Sequence, residues 1–155
     1  MGLPSQSLEG IFEHKLDSKY RVSVPSAWRP AQGETVPLRL LRWKHLGVPV
    51  LRALTDEAFE DMISSIANDP NLKPGLKSAR KSAIFAGSES ALLNDQGKLS
   101  IPKKLADPKG LEAGGLAHLF GRGSAFDIVA PRDVDALRTA EEKILEELYD
   151  SVDFG

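Results

Sequence analysis

The sequence predicts an α+β protein, mostly β at its core, built by an internal duplication and carrying flanking helices. Three observations predict it. First, Leu16-Asp17-Ser18-Lys19-Tyr20-Arg21-Val22-Ser23-Val24-Pro25 reads as a charged hairpin tip between short alternating segments. Second, Leu93-Asn94-Asp95-Gln96-Gly97-Lys98-Leu99-Ser100-Ile101-Pro102 repeats that pattern at an offset of about 77 residues. The register then continues without a gap: Trp43 falls on Phe120, Leu51 on Ile128 and Asp56 on Asp133. Third, apolar residues recur at helical spacing after Thr55, after Leu76 and after Pro131.

In the first unit, Ile11 to Leu16 alternates, so Phe12, His14 and Leu16 share one strand face. Asp17 opens the turn, where a short carboxylate accepts nearby backbone N–H groups, and Arg21 closes it. Val22 and Val24 share a face of the returning strand, and Pro25 ends it because proline donates nothing to a ladder. Ser26 to Arg29 is long enough for one helical turn before Pro30, and Ala31 to Glu34 is a loop. Val36 to Trp43 and Val48 to Ala53 read as strands joined by the turn Lys44-His45-Leu46-Gly47, with Pro37 and Pro49 pushing both toward sheet edges.

Thr55 is a suitable N-cap, followed by Asp56 and Glu57 where the helix dipole favours acids. Phe59, Met62, Ile63 and Ile66 form the apolar face, and Asn68-Asp69-Pro70 ends the helix. Asn71 to Gly75 connects to a helix from Leu76 to about Ala86, with Ala79, Ala83 and Ile84 expected to face inward. The second unit repeats the post-proline turn at Pro102 to Leu105, then a loop from Gly110 to Gly115. Leu116 to Phe120 and Ala125 to Ala130 are expected strands around Gly121-Arg122-Gly123-Ser124. Pro131 suits the first position of a last helix with an inner stripe of Val134, Leu137, Ile144 and Leu148 and an acidic outer face. The resulting division is a loose leader at 1–9, a first unit at 10–56, a helical connector at 57–87, a second unit at 88–133 and an acidic helix and tail at 134–155.

The chain has 155 residues, 41% of them hydrophobic, which suffices for one compact domain or two small intertwined units. It has no cysteine, so disulfides and thiolate metal sites are excluded. Met1 to Glu9 lacks the basic start and apolar run of a signal peptide, and no apolar run approaches a bilayer span, so a cytoplasmic protein without a membrane partner is expected. The net charge of −2 counts mildly against a nucleic-acid binder, but its distribution is uneven. Lys15, Lys19, Arg21, Arg29, Arg39, Arg42 and Lys44 load the first half with cations, whereas acids concentrate in the last helix. Such a chain can present a basic face while its sum stays negative.

On these residues the chain resembles the MraZ family of bacterial transcriptional regulators, built from two AbrB/SpoVT-type swapped-hairpin units. Asp17-Ser18-Lys19-Tyr20-Arg21 followed by Val22-Ser23-Val24-Pro25 matches the family's Asp-x-x-x-Arg turn, short strand and proline. Arg29 and the stretch from Ala79-Arg80 to Phe85-Ala86-Gly87 also resemble the family pattern, and the likeness covers nearly the whole chain. The chain departs from it at Tyr20, where the family has glycine; at Asn94 and Lys98, which replace the Asp and Arg of the second turn; and at Ala106, which replaces the arginine represented by Arg29. A tyrosine at a position built for positive φ either carries a steric penalty or forces another turn.

The resemblance implies a double swapped-hairpin, AbrB/SpoVT-like barrel and a nucleoid-associated regulator. Such a regulator assembles into a homo-oligomeric ring and binds promoter direct repeats of a cell-division and cell-wall operon in double-stranded DNA. The residues expected at DNA are Lys15, Asp17, Lys19, Arg21, Arg29, Asn94 and Lys98, with Asp17 orienting Arg21. Arginine suits bidentate contact with guanine or phosphate, whereas Lys98 is a point charge. The bland counterpart is a surface hairpin with a local ion pair of little worth, and the rival function is an AbrB-type antitoxin or protein-interaction module without specific DNA reading. No cofactor or metal is expected, since His14, His45 and His118 lack ligand spacing. Nor is an enzyme expected: there is no nucleophile elbow, Gly121-Arg122-Gly123-Ser124 lacks the rest of a phosphate loop, and Trp43 and Phe120 read as core.

Overall fold

A computed structural model describes residues 8–151. Its strands are β1 (Ile11–Lys15), β2 (Arg21–Ser23), β3 (Thr35–His45), β4 (Val48–Thr55), β5 (Ser88–Asn94), β6 (Lys98–Ser100), β7 (Leu116–Gly121) and β8 (Ala125–Val129). They form one antiparallel sheet in the order β1-β7-β8-β4-β3-β5-β6-β2. Its end strands β1 and β2 lie side by side, so the sheet is a nearly closed barrel. Helices α1 (Asp56–Ala67), α2 (Pro74–Ala86), α3 (Lys103–Ala106) and α4 (Pro131–Ser151) lie around it. This is the α+β, mostly β, double-hairpin architecture expected from the sequence.

The two arms of the opening hairpin do not pair with each other. β1 pairs with β7 and β2 with β6, so each strand is donated to the other unit. Alternation defines a strand and its buried face but not its partner, which is why a simple hairpin and a swapped one read alike locally. The duplication becomes a pseudo-dyad. Val22 faces its own equivalent Leu99 across β2 and β6, and Leu51 faces its equivalent Ile128 across β4 and β8. The symmetry is imperfect at one ladder. Lys15 faces Leu116, but their equivalents Leu92 and Arg39 are not partners; Leu92 faces Pro37 instead. That slip spans an even number of residues, so every side chain keeps its face.

The main core lies inside the barrel and includes Leu16, Val22, Trp28, Leu51, Leu93, Leu99, Phe126 and Ile128, all at most 1% exposed. Trp43 and Phe120 join a second cluster with Val50, Val129, Val134 and Leu137 under α4, as core rather than exposed platforms. A third cluster seats α1 and α2 through Phe59 and Ile84.

Several elements begin where expected. Thr55 caps α1, its Oγ1 accepting the Ala58 N–H at 3.0 Å. The β3–β4 turn has positive φ at both Leu46 and Gly47, the type I′ pattern, whereas the β7–β8 turn has it at Gly123 alone, the type II′ pattern. Others differ. Leu8, read as part of a loose leader, is buried and exchanges two hydrogen bonds with Gly123; the rest of that leader up to residue 7 lies outside the described residues. β3 and β4 are central strands, yet Pro37 lies beyond the β4 ladder and Pro49 beyond the β8 ladder, so each proline has a strand neighbour on one side only. α2 starts at Pro74, and Ala79 and Ala83 are exposed while Ile84 is buried. In α4 only Val134 and Leu137 are buried; Ile144 and Leu148 lie 48% and 42% exposed, because the helix outruns the sheet beneath it.

Candidate nucleic-acid interface

The two polar turns meet at the pseudo-dyad. The Val24 N–H donates to Gly97 O and the Ile101 N–H to Tyr20 O, each at 2.8 Å, an equivalent pair of bonds that locks one turn beside the other.

Each turn is tied internally by the same chemistry. Asp17 Oδ1 accepts the N–H groups of Lys19 at 2.8 Å and Arg21 at 2.9 Å. Asn94 Oδ1 accepts those of Gln96 at 3.1 Å and Lys98 at 2.9 Å. The exchange of Asp for Asn therefore leaves the backbone of the second turn unchanged. It removes the second carboxylate oxygen, and in the first turn that oxygen, Oδ2, takes the Arg21 Nε–H at 2.8 Å. Arg21 is thereby aimed rather than free, with its side chain 44% exposed, and among the described residues its two terminal nitrogens carry no hydrogen bond. The Arg21 N–H above all, with the Arg21 side chain and the Lys19 N–H, holds the Asp17 carboxyl below its ordinary value against a smaller opposing effect of burial. Lys15 and Lys19 are exposed beside the turn, and Lys98 is half-buried on the second.

Tyr20 adopts φ +59, close to the +80 of Gly97, so the first turn keeps the glycine conformation despite its side chain. Arg29 is not displayed outward with the others. Its Nε donates to Val24 O at 3.2 Å and its side chain lies across Gly97 of the second turn. That turn is further held by Asp95 Oδ2, which accepts the Gly33 N–H at 2.6 Å from the opposite unit. A depression of about 530 Å³ opens beside the first turn, with His14, Lys15, Asp17 and Gly114 in its walls. Among the described residues no three His, Cys, Asp or Glu side chains group to hold a metal, and no helix is long and apolar enough to cross a membrane.

At a buried charged site on β4 and β8, Asp127 is fully buried and accepts from Arg52 Nε at 2.8 Å, Arg52 Nη2 at 2.9 Å and Arg122 Nε at 2.9 Å. Arg122 also pairs with both oxygens of Glu141 on α4, at 2.8 and 3.0 Å. Glu141 thus joins a partly buried ion-pair network instead of standing in the acidic outer face of the helix. The available signal was a single arginine and a single aspartate inside the apolar strands VPVLRALT and AFDIV, where a charge needs a buried partner.

Fold and site together define an internally duplicated, strand-swapped barrel that presents two adjacent polar turns, one ending in arginine and one in lysine. The chain matches no profile of a known protein family. It is 31% identical to the transcriptional regulator MraZ of Ruegeria sp. (strain TM1040) over 93% of this chain and 90% of that protein. It is 25% identical to the MraZ of Hydrogenovibrio crunogenus (strain DSM 25203 / XCL-2) over 94% and 90%, and 26% identical to that of Roseiflexus sp. (strain RS-1) over 79% and 80%. The chain belongs to the MraZ family of transcriptional regulators.

Proposed function

We propose that this chain is a sequence-specific DNA-binding regulator that reads promoter direct repeats of a cell-division and cell-wall operon through its two turns. In this reading it works as a ring-shaped homo-oligomer in the cytoplasm, at the nucleoid. The observation that carries the reading is the Asp17–Arg21 pair, which spends one guanidinium nitrogen on orientation and leaves the terminal fork turned out at an exposed, rigid turn. A fork so held suits guanine N7 and O6 or a phosphate. Lys15, Lys19 and Lys98 add charge around it, Asp17 and Asn94 shape the backbone, and Arg29 supports the second turn from beneath. A few cationic contacts per protomer bind weakly and with steep salt dependence. A ring offering the same turns to successive repeats raises the effective concentration and supplies the missing affinity.

The test is binding to DNA from upstream of the protein's own gene, over a salt series, for wild type, Arg21→Ala and Lys98→Ala, with oligomer size measured by light scattering. Arg21→Ala is expected to weaken binding about tenfold or more and to lower the salt slope by about one, with Lys98→Ala weaker in effect. Wild type and Arg21→Ala binding alike, or no preference over random DNA, would sink the DNA reading in favour of a protein-interaction module. A strictly monomeric protein would sink the ring.

A further inference from the structure

The pseudo-dyad makes residue 20 the counterpart of residue 97, and residue 106 the counterpart of residue 29. On the second turn the pair is Gly97 and Arg29. The arginine reaches over from the first unit, and its Cδ and Cγ would lie 3.0 and 3.1 Å from a Cβ on Gly97. On the first turn the pair is Tyr20 and Ala106, and the two members differ in size from their counterparts in opposite directions. Where the second turn has a glycine the first has a tyrosine, and where the second has the long arginine the first has an alanine with no exposed surface. The two turns nonetheless share their backbone conformation at this point, with φ +59 at Tyr20 and +80 at Gly97. The Tyr20 side chain packs on the main core, to which Ala106 belongs. Its hydroxyl donates at 3.2 Å to Oδ1 of Asp107, the residue following Ala106.

We infer that Tyr20 and Ala106 are one coupled device, the reversed counterpart of Arg29 and Gly97. Each turn is buttressed by a single large side chain between it and the opposite unit. On the second turn that side chain comes from the opposite unit; on the first it comes from the turn itself. Tyr20 is thereby the positioning residue for Arg21, its immediate neighbour. This last role rests on the reading of Arg21 as a DNA contact; the packing exchange does not.

The full chain tests both. Urea midpoints are compared for Tyr20→Gly, Ala106→Arg and the double variant. Tyr20→Gly empties the space and Ala106→Arg overfills it, so both are expected to fall below wild type, while the double variant, which rebuilds the arrangement of the second turn, rises above both. A double variant at or below Tyr20→Gly overturns the exchange, and that comparison holds even if Ala106→Arg alone does not fold. The reciprocal pair, Gly97→Tyr with Arg29→Ala, is expected to show the same recovery over Gly97→Tyr.

Positioning is read with Tyr20→Phe, which keeps the ring and removes the bond to Asp107. The ratio of promoter to random DNA affinity is expected to drop about threefold at an unchanged urea midpoint, and to drop no further when Arg21→Ala is already present. A Tyr20→Phe effect that persists in the Arg21→Ala background, or no effect where Arg21→Ala loses binding, overturns the positioning role. If Arg21→Ala binds as wild type, the DNA reading fails and the positioning role with it, while the urea comparison still decides the exchange.

Discussion

Asp17 divides its work between two oxygens, and Asn94 shows which half is dispensable. Oδ1 organises the backbone in both turns, whereas Oδ2 of Asp17 alone holds an arginine. Asp17→Asn is therefore expected to melt close to wild type but to lose DNA affinity about as Asp17→Ala does, while Asp17→Ala also lowers the melting temperature. Thermal denaturation beside DNA titration separates the two; equal melting of both variants would show that the Oδ1 bonds to the turn backbone contribute nothing. Because the Asp17 carboxyl is held below its ordinary value of 3.8, its stabilisation is complete above that value and is lost only as pH falls through the lower folded value. His45 acts in a higher window. Burial first, then Arg122 and Arg52, lower it from its ordinary 6.5, and its Nδ1 stands 3.1 Å from Arg52 Nη2, a donor that requires the neutral ring. The unfolded chain thus takes up that proton at higher pH than the folded one, so stability is full above 6.5 and declines as pH falls from there toward the folded value. The urea midpoint is expected to fall between about pH 7.5 and about pH 5.5, less so in His45→Gln; an identical decline in the variant would clear His45 of the effect.

At the scale of elements, the buried Asp127 holds β4 through Arg52 and the β7–β8 turn through Arg122, and Arg122 in turn ties in α4 through Glu141. Asp127→Ala leaves two arginines short of a partner in a largely buried site and is expected to cost about 3–5 kcal/mol, read as a urea midpoint. A loss below about 1 kcal/mol would mean that water replaces the carboxylate. This network was illegible at the level of periodicity, because residues 52 and 127 lie far apart in sequence and meet only through the β4–β8 ladder at the pseudo-dyad. What could be read was local. Asp17 and Asn94 announce their turns because the bonds close within four residues, and Thr55 announces its helix for the same reason. Periodicity placed Val134, Leu137, Ile144 and Leu148 on one face but carried no information on where the surface beneath α4 ends. For Arg29, placed at DNA by resemblance, the glycine it covers belongs to the other turn and lies far along the chain. The positive φ of Tyr20 was legible only through the family resemblance, which puts glycine there; nothing in a tyrosine itself announces it.

For the whole molecule, the decisive fact is where each strand finds its partners. Within 8–87 the only ladder is β3 with β4; β1 and β2 pair wholly with the second unit, and β3 and β4 each have their other neighbour there as well. The second half retains β7 with β8 and a single pairing of β5 with β6. The equivalent core residues Val22 and Leu99, and Leu51 and Ile128, likewise meet from opposite halves, so separating the halves exposes the centre of the core. A two-stranded hairpin is at best marginal in water. The full chain is accordingly expected to unfold in one cooperative transition, and residues 8–87 or 88–151 expressed alone to show no folded monomer by circular dichroism and amide exchange. Mixing the two fragments should restore both the β signal and slow exchange in β4 and β8. The pseudo-dyad admits one further folded form, a homodimer of either half in which each copy supplies the strands the other half would have given. A half that melts cooperatively as a monomer would show that the units are merely adjacent, and the swap a detail of connection rather than the source of the fold's stability.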